Sequence, residues 1–430
     1  MLAIYVGLWC FEGAVRKWVP GTGTVMYVFR DAVLMITFVS LLWAGHWRAR
    51  RTGWFWALAL VAAVMTALQV IGGSLSLGAA TAGVRSYLAP LMLLAFLLAF
   101  PPRRPVFVVT VVVAIALMAN LPLVIVQVLS APDSVVNQEI GGEAAYFVNP
   151  GEVVRPSGTF SAPIGLVGLA GLGAALGLAG TESKVIPRWV AIACVVAAVT
   201  LTALSGARTA VILVMVVVAA FVWMLIRRGS FSSLLGLAAM AALIAATIWI
   251  AGTLFPGVID SFSDRVELAS QAEETDARIL GGILGYAEGP LTLFGAGAGA
   301  GSSAAFLALG STVVIETESQ KWVYELGVVG FLLATARLVV VAGVLTYILV
   351  GAGKAPAHVV TVGALFSATL LIGGVTQQPS TQGVFAIMLI LLATRWMHPT
   401  SAPDTSAVMP IAHGVTRWRT RSPARSWSVR

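Results

Sequence analysis

Charge is the scarcest feature of this chain. Only 10% of its 430 residues are charged, whereas 59% are hydrophobic. Because soluble domains carry about 25% charged residues, this shortage excludes an ordinary soluble protein. The apolar residues form continuous runs of about 18 to 25 residues, which is long enough for a helix to cross the hydrocarbon core of a bilayer. An all-α fold is expected, since lipid offers no partner to an unsatisfied backbone amide.

Cysteine is almost absent as well. The two cysteines, Cys10 and Cys194, lie in apolar runs that we place near opposite membrane faces. They therefore predict two small buried side chains and no disulfide. Met1 opens directly into an apolar run with no basic stretch before it, so no cleavable signal peptide is expected. This run is short for a full span, which leaves open whether Met1 is the true start.

Basic residues recur in clusters that are separated by pairs of apolar runs. The clusters are Arg48 with Arg50 and Arg51, Arg103 with Arg104, Lys184 with Arg188, Arg227 with Arg228, Lys354, and Arg395 with the C-terminal tail. Cytoplasmic loops of membrane proteins are enriched in Lys and Arg, so each cluster is predicted to be cytoplasmic, and about twelve transmembrane helices result. They are Met1–Gly13, Met26–Trp47, Trp54–Leu75, Tyr87–Phe100, Val106–Leu129, Thr159–Gly180, Pro187–Leu204, Thr209–Ile226, Leu234–Phe255, Lys321–Val350, His358–Thr376 and Val384–Trp396. Both termini are then cytoplasmic.

Acidic residues are rare on the cytoplasmic side of this arrangement. Every acid except Glu182 and Asp404 falls on the extracytoplasmic side, and none of the four histidines does. Most of the acids lie in two outer loops, 130–157 and 256–320, the second of which joins the ninth and tenth helices. Residues 1–400 are thus predicted to form one transmembrane domain with its working surface outside. Residues 401–430 are predicted to be a disordered basic tail, which either contacts anionic membrane lipids or serves only to fix the topology.

Several arginines lie on the extracytoplasmic side, against the charge bias, and such cations need a partner. Three have an acid nearby in sequence: Arg16 follows Glu12, Arg30 adjoins Asp31, and Arg265 adjoins Asp264. Four lack such an obvious local partner and lie at or near predicted loop–helix junctions: Arg85, Arg155, Arg208 and Arg278. Guanidinium groups match phosphate oxygens bidentately. A pyrophosphate head group in the outer leaflet would satisfy all four.

Two segments carry further information. Arg155-Pro-Ser-Gly-Thr-Phe-Ser-Ala-Pro163 leads into a glycine-rich helix. The second begins at Arg278, passes Gly289-Pro-Leu-Thr-Leu-Phe-Gly295 and alternating glycines, and reaches Glu325-Leu-Gly-Val-Val-Gly330. No strand precedes these glycines and they face a compartment without ATP, so they do not indicate a nucleotide fold. They predict either a flexible loop that approaches a ligand closely or a plain linker.

In their order and topology these segments resemble the O-antigen ligase and O-antigen polymerase family of membrane glycosyltransferases. The shared features are an Arg-x-x-Gly-Thr-Phe-like start of a helix, an arginine in a large outer loop, a Pro-Leu-x-Gly-x-Gly-like turn and a Glu-Leu-Gly helix end. Phe11-Glu-Gly-Ala-Val-Arg-Lys-Trp18 and Arg30-Asp31 resemble a signature of one branch of the family. The resemblance covers residues from about Arg155 to Gly330, together with this N-terminal part.

The resemblance implies a GT-C-like polytopic enzyme in a bacterial inner (plasma) membrane. It would transfer a glycan from a polyprenyl-pyrophosphate-linked oligosaccharide to an acceptor glycan or lipid on the extracytoplasmic face. No cofactor and no metal are implied, because arginines can neutralise the leaving charge. Arg155 and Arg278 match motif arginines, and Arg208 stands where the family often has a further basic residue. With Arg85 they form the predicted pyrophosphate-binding set.

One position departs from the family pattern. Ligases of the family usually carry a His shortly before the Glu-Leu-Gly segment, and here that position is Glu316, with Glu318 close behind. A carboxylate can replace imidazole as a general base if burial or a like-charged neighbour raises its pKa. Glu316 and Glu318 are therefore the candidate catalytic residues, although they could equally solvate the loop or pair with Lys321. The missing His favours a polymerase or a divergent transferase over a ligase.

Two other classes stay open. A transporter or flippase of lipid-linked sugars would need charged residues at mid-depth in several helices, and the predicted spans carry few besides Arg337. A non-catalytic partner of a polysaccharide export complex would need no reactive group at all. The net charge of +8 comes mostly from the cytoplasmic clusters and the tail, so no nucleic-acid partner is predicted. The sequence names neither the sugar nor the linkage nor the acceptor.

Overall fold

The computed structural model describes residues 1–43, 49–73, 75–140, 154–229, 231–254, 275–288, 291–301, 315 and 317–397. Within these ranges the chain is all-helical, as predicted. The helices are α1 (Leu2–Trp18), α2 (Gly23–Trp43), α3 (Ala49–Ile71), α4 (Leu77–Ala99), α5 (Pro105–Leu129), α6 (Pro163–Ser183), α7 (Arg188–Leu204), α8 (Arg208–Arg228), α9 (Phe231–Leu254), α10 (Thr275–Leu284), α11 (Glu318–Leu326), α12 (Val328–Gly351), α13 (Ala357–Ile372) and α14 (Pro379–Met397). Short 3-10 turns lie at Val135–Asn137 and Gly285–Ala287. The predicted disorder of the tail concerns residues outside these ranges.

Among the described residues, six helices are long and apolar enough to cross a membrane. Their spans are Thr52–Ile71, Leu77–Ala99, Pro105–Leu129, Pro163–Ser183, Arg208–Arg228 and Val328–Gly351. Three shorter apolar helices accompany them, Arg188–Leu204, Ala357–Ile372 and Pro379–Thr394. The chain therefore has the helices of a membrane-embedded protein, whereas the larger predicted number of spans and the GT-C-like fold stay predictions.

Two predicted spans are wrong in their extent. The predicted helix Lys321–Val350 is two helices, α11 and α12, which meet at Gly327. Gly327 has φ 58° and ψ −129°, a conformation that residues with a side chain rarely adopt. The polar helix α11 is thereby separated from the apolar helix α12. The fourth span begins at Leu77 rather than Tyr87, which places Arg85 inside α4 and away from a loop–helix junction.

Helix α6 forms the centre of the bundle. Its side chains Leu166, Leu169 and Leu172 are fully buried, and it packs against α5, α7, α8, α13 and α14. The packing against α7 is close, since a Cβ atom at Gly177 would lie 2.9 Å from the Val195 side chain. Small residues at helix contacts are the usual means by which membrane helices approach one another. Cys10 and Cys194 are buried and unpaired, as predicted.

The outer helices expose large apolar side chains. Leu60 on α3 is 66% exposed, and Val339 on α12 is 69% exposed. Apolar surface of this kind is unfavourable in water and has no such cost in hydrocarbon. Since both helices reach membrane-crossing length, these faces are the expected contact with lipid.

Basic clusters from distant parts of the sequence meet at one end of the bundle. Arg228 at the end of α8 lies 3.4 Å from Glu182 at the end of α6, and it donates to a backbone carbonyl of the α12–α13 loop. Arg103, Arg104 and Lys354 line one common cavity. The predicted threading requires this grouping, while the side of the membrane that this end faces stays a prediction.

Candidate functional site

The candidate site is built on the short polar helix α11. Glu318, Lys321 and Glu325 are spaced three and four residues apart along it, so they share one face. All three are buried, and Lys321 and Glu325 are 0% exposed. We call these three residues the α11 cluster. Burying charged groups so completely is costly unless each one finds partners, so their contacts decide what the site can do.

Glu325 connects α11 to α4 and to the glycine-rich loop. Its carboxylate accepts hydrogen bonds from the Tyr87 hydroxyl at 2.7 Å and from the Gly301 backbone N–H at 3.0 Å. Lys321 Nζ lies 3.9 Å from the same carboxylate. Helix α11 lies outside the candidate membrane-spanning helices. There, burial raises the pKa of Glu325, while the Lys321 ammonium and the hydrogen bonds lower it.

Lys321 holds the loop between α13 and α14. Its Nζ donates to Thr376 Oγ1 at 3.0 Å and to Thr376 O at 3.3 Å, and it lies 5.8 Å from the centre of the Tyr87 ring. The ammonium is thus enclosed by a carboxylate, a threonine and an aromatic ring. This environment fits a structural cation better than a group that meets substrate.

Glu318, one of the two predicted catalytic carboxylates, anchors the same loop. It accepts hydrogen bonds from the backbone N–H groups of Val375 at 3.0 Å and Thr376 at 2.9 Å, and from the Trp322 indole at 2.8 Å. The Thr376 hydroxyl is a fourth donor. Three of these donors reach Oε1 and one reaches Oε2, so most of the roughly four lone-pair sites of the carboxylate are occupied. The geometry favours a structural role for Glu318. Glu316, the other predicted base, lies outside the described residues.

A second buried charged group joins α1, α2 and α4. Arg30 lies 3.5 Å from Glu12 and 3.5 Å from Asp31, and Arg85 pairs with the other oxygen of Asp31. We call these four residues the α2 cluster, in which two acids balance two bases. Glu12 pairs with Arg30 here, although its sequence neighbour Arg16 suggested the nearer pairing. Arg85, predicted to have no obvious local partner, finds one in Asp31 of another helix, so its charge is already compensated within the fold.

The loop between α13 and α14, together with the first residues of α14, connects the two clusters. Arg30 donates to Pro379 O at 3.1 Å, and the Trp9 indole of α1 donates to Ser380 O at 2.7 Å. The same loop supplies Thr376 to the α11 cluster. Helices α13 and α14 lead from this loop to the basic cavity, so the two clusters form one polar region at the opposite end of the bundle.

Hydrogen bonds hold the segment Arg155–Pro163 at this polar end. Lys17, at the end of α1, donates to Ser157 Oγ at 2.9 Å. Asn120 of α5 accepts a hydrogen bond from the Thr159 N–H at 2.8 Å. The segment therefore lies against α1 and α5, and helix α6 begins only at its last residue. Arg155, the predicted pyrophosphate ligand, is the first residue of the segment and lies two positions before Ser157.

The glycine-rich loop 291–301 packs against α4 and α11. Gly299 has φ 94°, and a Cβ atom there would lie 2.5 Å from Ala79 O of α4. A backbone hydrogen bond from Gly297 N–H to Glu325 O, at 3.0 Å, fixes the loop to the end of α11. The glycines thus permit close approach of the loop to the protein's own backbone. The predicted approach to a ligand stays a prediction.

Helix α10, which carries Arg278, is attached to the same region. Arg337 of α12 donates to the carbonyl oxygens of Gly282 at 3.2 Å and Ile283 at 3.0 Å. Ser319 of α11 donates to Gly282 O at 2.9 Å. Arg337 therefore interacts within the bundle, and it joins α10 to α12. The Arg278 side chain itself lies outside the described residues.

The four arginines predicted to bind pyrophosphate thus differ in position. Arg85 lies inside α4 within the α2 cluster, and Arg155 opens the fastened segment. Arg278 belongs to the attached helix α10, and Arg208 is the first residue of α8. The fold brings Arg85 and Arg155 to the polar region, and no contact among the described residues ties Arg208 to it.

Sequence reasoning missed two residues of this region, Tyr87 and Thr376, and it named Lys321 and Glu325 without predicting that they form one buried cluster with Glu318. The helical spacing of Glu318, Lys321 and Glu325 was the available signal, because it predicts a charged face on a short helix. Tyr87 and Thr376 carry no comparable signal. The Tyr87–Glu325 hydrogen bond joins residues 238 positions apart, and only the fold brings them together.

Within the described ranges no group of three or more His, Cys, Asp or Glu side chains is arranged to hold a metal ion. No family model matches the chain, and neither a curated protein nor a solved structure is significantly similar to it. The resemblance to the O-antigen ligase and polymerase family therefore stays a prediction that rests on the motifs.

Proposed function

We propose that this chain is a membrane glycosyltransferase of the O-antigen polymerase/ligase type. It moves a glycan from a polyprenyl-pyrophosphate carrier to an acceptor glycan or lipid on the extracytoplasmic face of a bacterial plasma membrane. One observation carries this proposal: four motif segments that lie far apart in sequence meet at one end of the bundle. They are Phe11–Trp18, Arg155–Pro163, the loop 291–301 and Glu325–Gly330.

Arginines supply the chemistry in this proposal. Transfer of the glycan leaves a pyrophosphate, whose oxygens guanidinium groups can bind bidentately. We assign this role to Arg155, Arg208 and Arg278. Arg85 contributes less directly, since its bond to Asp31 ties α4 to α2. Preorganised positive charge at a leaving group is a general source of transition-state stabilisation, so the proposal requires no cofactor.

The acceptor hydroxyl needs a general base within hydrogen-bonding reach. Of the two predicted carboxylates we retain Glu316, because Glu318 already accepts four hydrogen bonds. Glu318 then has a structural role, because it fixes the start of α11 to the α13–α14 loop.

A second function has one observation in its favour. Arg30 and Asp31 lie inside α2, and Arg85 lies inside α4, rather than at the helix ends. Charged residues within membrane helices are typical of transporters and flippases. A flippase of lipid-linked sugars is therefore the alternative. The balanced pairing within the α2 cluster argues for a structural use of these charges, and so for the transferase.

Reconstitution separates these functions. Purified protein in liposomes would receive a polyprenyl-pyrophosphate oligosaccharide, and both glycan chain growth and translocation of the lipid would be scored. We expect chain growth from the wild type and its loss, by at least about 100-fold, in Arg155→Ala and Arg278→Ala, in line with removal of a transition-state donor. Arg188→Ala, which removes an exposed arginine at the opposite end of the bundle, is the matched control and should keep full activity.

Full-length product from Arg155→Ala or Arg278→Ala would refute the assigned roles. Translocation without chain growth by the wild type would establish the flippase instead. If the wild type performed neither reaction, the chain would be a non-catalytic partner of an export complex.

A further inference from the structure

A cavity of about 670 Å³ lies at the end of the bundle that carries the basic clusters. Its lining includes Arg103, Arg104, Lys354 and His358, together with Phe107 and Thr394. These residues come from three distant stretches of the chain. The cavity lies opposite the proposed glycosyltransferase site, so neither the motifs nor the proposed reaction accounts for it.

The charge around this cavity is not neutralised by the described part of the chain. None of Arg103, Arg104 and Lys354 has an ion-pair partner there, and Glu182, the acid at this end, is already paired with Arg228. His358 also lines the cavity, and its Nε2 is buried with no hydrogen-bond partner among the described residues. Arg103, Arg104 and Lys354 are exposed, so an anion with hydrogen-bonding oxygens that enters the cavity could pair with them and reach the unsatisfied ring nitrogen.

Two helix N-termini open into the same space. The first residues of α5 (from Pro105) and of α13 (from Ala357) contribute to the lining. Neither N-cap residue, Arg104 or Pro356, makes a side-chain capping bond. The first N–H groups of a helix have no partner within it, and the helix dipole favours negative charge beside them. Convergence of two such ends with three cations is the usual composition of a phosphate site.

We propose that this cavity binds the phosphate head group of an anionic phospholipid. Lipid is favoured over free phosphate because the cavity borders Phe107, which is 44% exposed on α5, a helix of membrane-crossing length. A phosphate held between the two helix ends would leave its acyl chains beside this apolar surface. The site would tie the α5, α13 and α14 ends together through a lipid. This inference does not depend on the proposed glycosyltransferase activity.

Native mass spectrometry of the full chain in detergent tests the proposal. The probe is dioleoylphosphatidylglycerol, compared with dioleoylphosphatidylcholine and with sodium phosphate. Each basic residue near an anionic head group is worth about 1 kcal/mol, and 1.4 kcal/mol is tenfold in affinity. Arg103→Gln/Arg104→Gln should therefore weaken phosphatidylglycerol binding roughly 30-fold, and Lys354→Gln alone roughly fivefold.

Lys184→Gln/Arg188→Gln is the matched control. It removes two exposed cations from the same end of the bundle whose side chains do not line the cavity, although Val185 beside Lys184 does, so the affinity should fall much less than in Arg103→Gln/Arg104→Gln. The C-terminal tail is kept in every variant and contributes equally. Equal weakening by both double variants would overturn the site, as would equally tight binding of phosphatidylcholine. Binding of free phosphate as tight as that of phosphatidylglycerol would overturn the assignment to lipid.

Discussion

Replacement of Lys321 by methionine is the sharpest test of the α11 cluster. The substitution keeps an unbranched apolar stem of similar length up to Cε and removes the ammonium, which lies 3.9 Å from Glu325 and donates to Thr376. Glu325 is 0% exposed and would lose the cation that opposes the effect of burial on its pKa. Removing one partner of a buried ion pair typically costs about 3–5 kcal/mol, because the other charge remains buried.

The cost has an upper limit, because Glu325 can become protonated in the variant. A free glutamic acid has a pKa of about 4.3, and each unit is worth about 1.4 kcal/mol, so keeping the side chain neutral at pH 7 costs at most about 4 kcal/mol. With an unfolding entropy of about 2.1 cal/mol/K per residue, this corresponds to a fall in melting temperature of roughly 4 °C. Thermal unfolding in detergent, followed by Trp fluorescence, measures it.

The dependence on pH has a defined sign. A carboxyl group whose pKa is higher in the folded state than in the unfolded state stabilises the fold fully when the pH is below its unfolded-state pKa. This stabilisation is lost as the pH rises through the folded-state pKa. The difference between wild type and Lys321→Met should therefore be largest near pH 7 and shrink to roughly 1 °C by pH 5. Lys184→Met, at an exposed position, is the control and should not differ from wild type. Equal melting temperatures at pH 7, or a difference that grows on acidification, would refute the reasoning.

Three further changes test the other contacts in the same melting assay. Arg85→Ala leaves Asp31 buried with Arg30 alone and should lower the free energy of unfolding by about 3 kcal/mol. Adding Asp31→Asn should restore part of this loss, and strict additivity of the two effects would contradict the pairing. Glu318→Ala leaves two buried backbone N–H groups unsatisfied, which costs about 1–3 kcal/mol each, and its activity should fall only as far as its stability does. Glu316→Gln should instead abolish activity and leave the melting temperature unchanged. Gly299→Val places a side chain on a left-handed backbone and a Cβ atom 2.5 Å from Ala79 O, so it should destabilise the fold by more than about 3 kcal/mol. A melting temperature equal to that of the wild type would show that the loop and α4 do not pack as described.

The sequence was sufficient to predict an all-helical, membrane-embedded fold. Apolar runs decide this feature, because it follows from the properties of lipid and not from particular contacts. The ends of the helices could not be predicted in the same way. The predicted helix Lys321–Val350 continues through Gly327, where a positive φ and a close backbone approach separate α11 from α12.

The partners of the charged residues could be predicted only in part. Sequence proximity suggested that Arg30 pairs with Asp31, which the structure confirms, that Glu12 pairs with Arg16, and that Arg85 has no obvious partner. In the structure Glu12 forms an ion pair with Arg30, while Arg16 also acts on it electrostatically, and Arg85 pairs with Asp31. Neighbours within a helix compete with neighbours on adjacent helices, and buried charges are matched to whichever partner the packing leaves within reach. Side chains such as Tyr87 and Thr376 acquire a role only through that packing.

The charge balance of the buried clusters restricts where a pyrophosphate could bind. The α2 cluster contains two acids and two bases, and the two acids of the α11 cluster are accompanied by Lys321 and, beside Trp322, by Arg337. Such balanced groups offer no net positive charge to a ligand, and removing any member leaves a buried charge unpaired. A doubly charged ligand at this end must therefore be neutralised by cations outside the clusters. Two sets of basic residues therefore serve different purposes. Lys321, Arg30, Arg85 and Arg337 stabilise the fold. In the proposed reaction the substrate would meet Arg155 in the segment before α6, Arg208 at the start of α8 and Arg278 on α10.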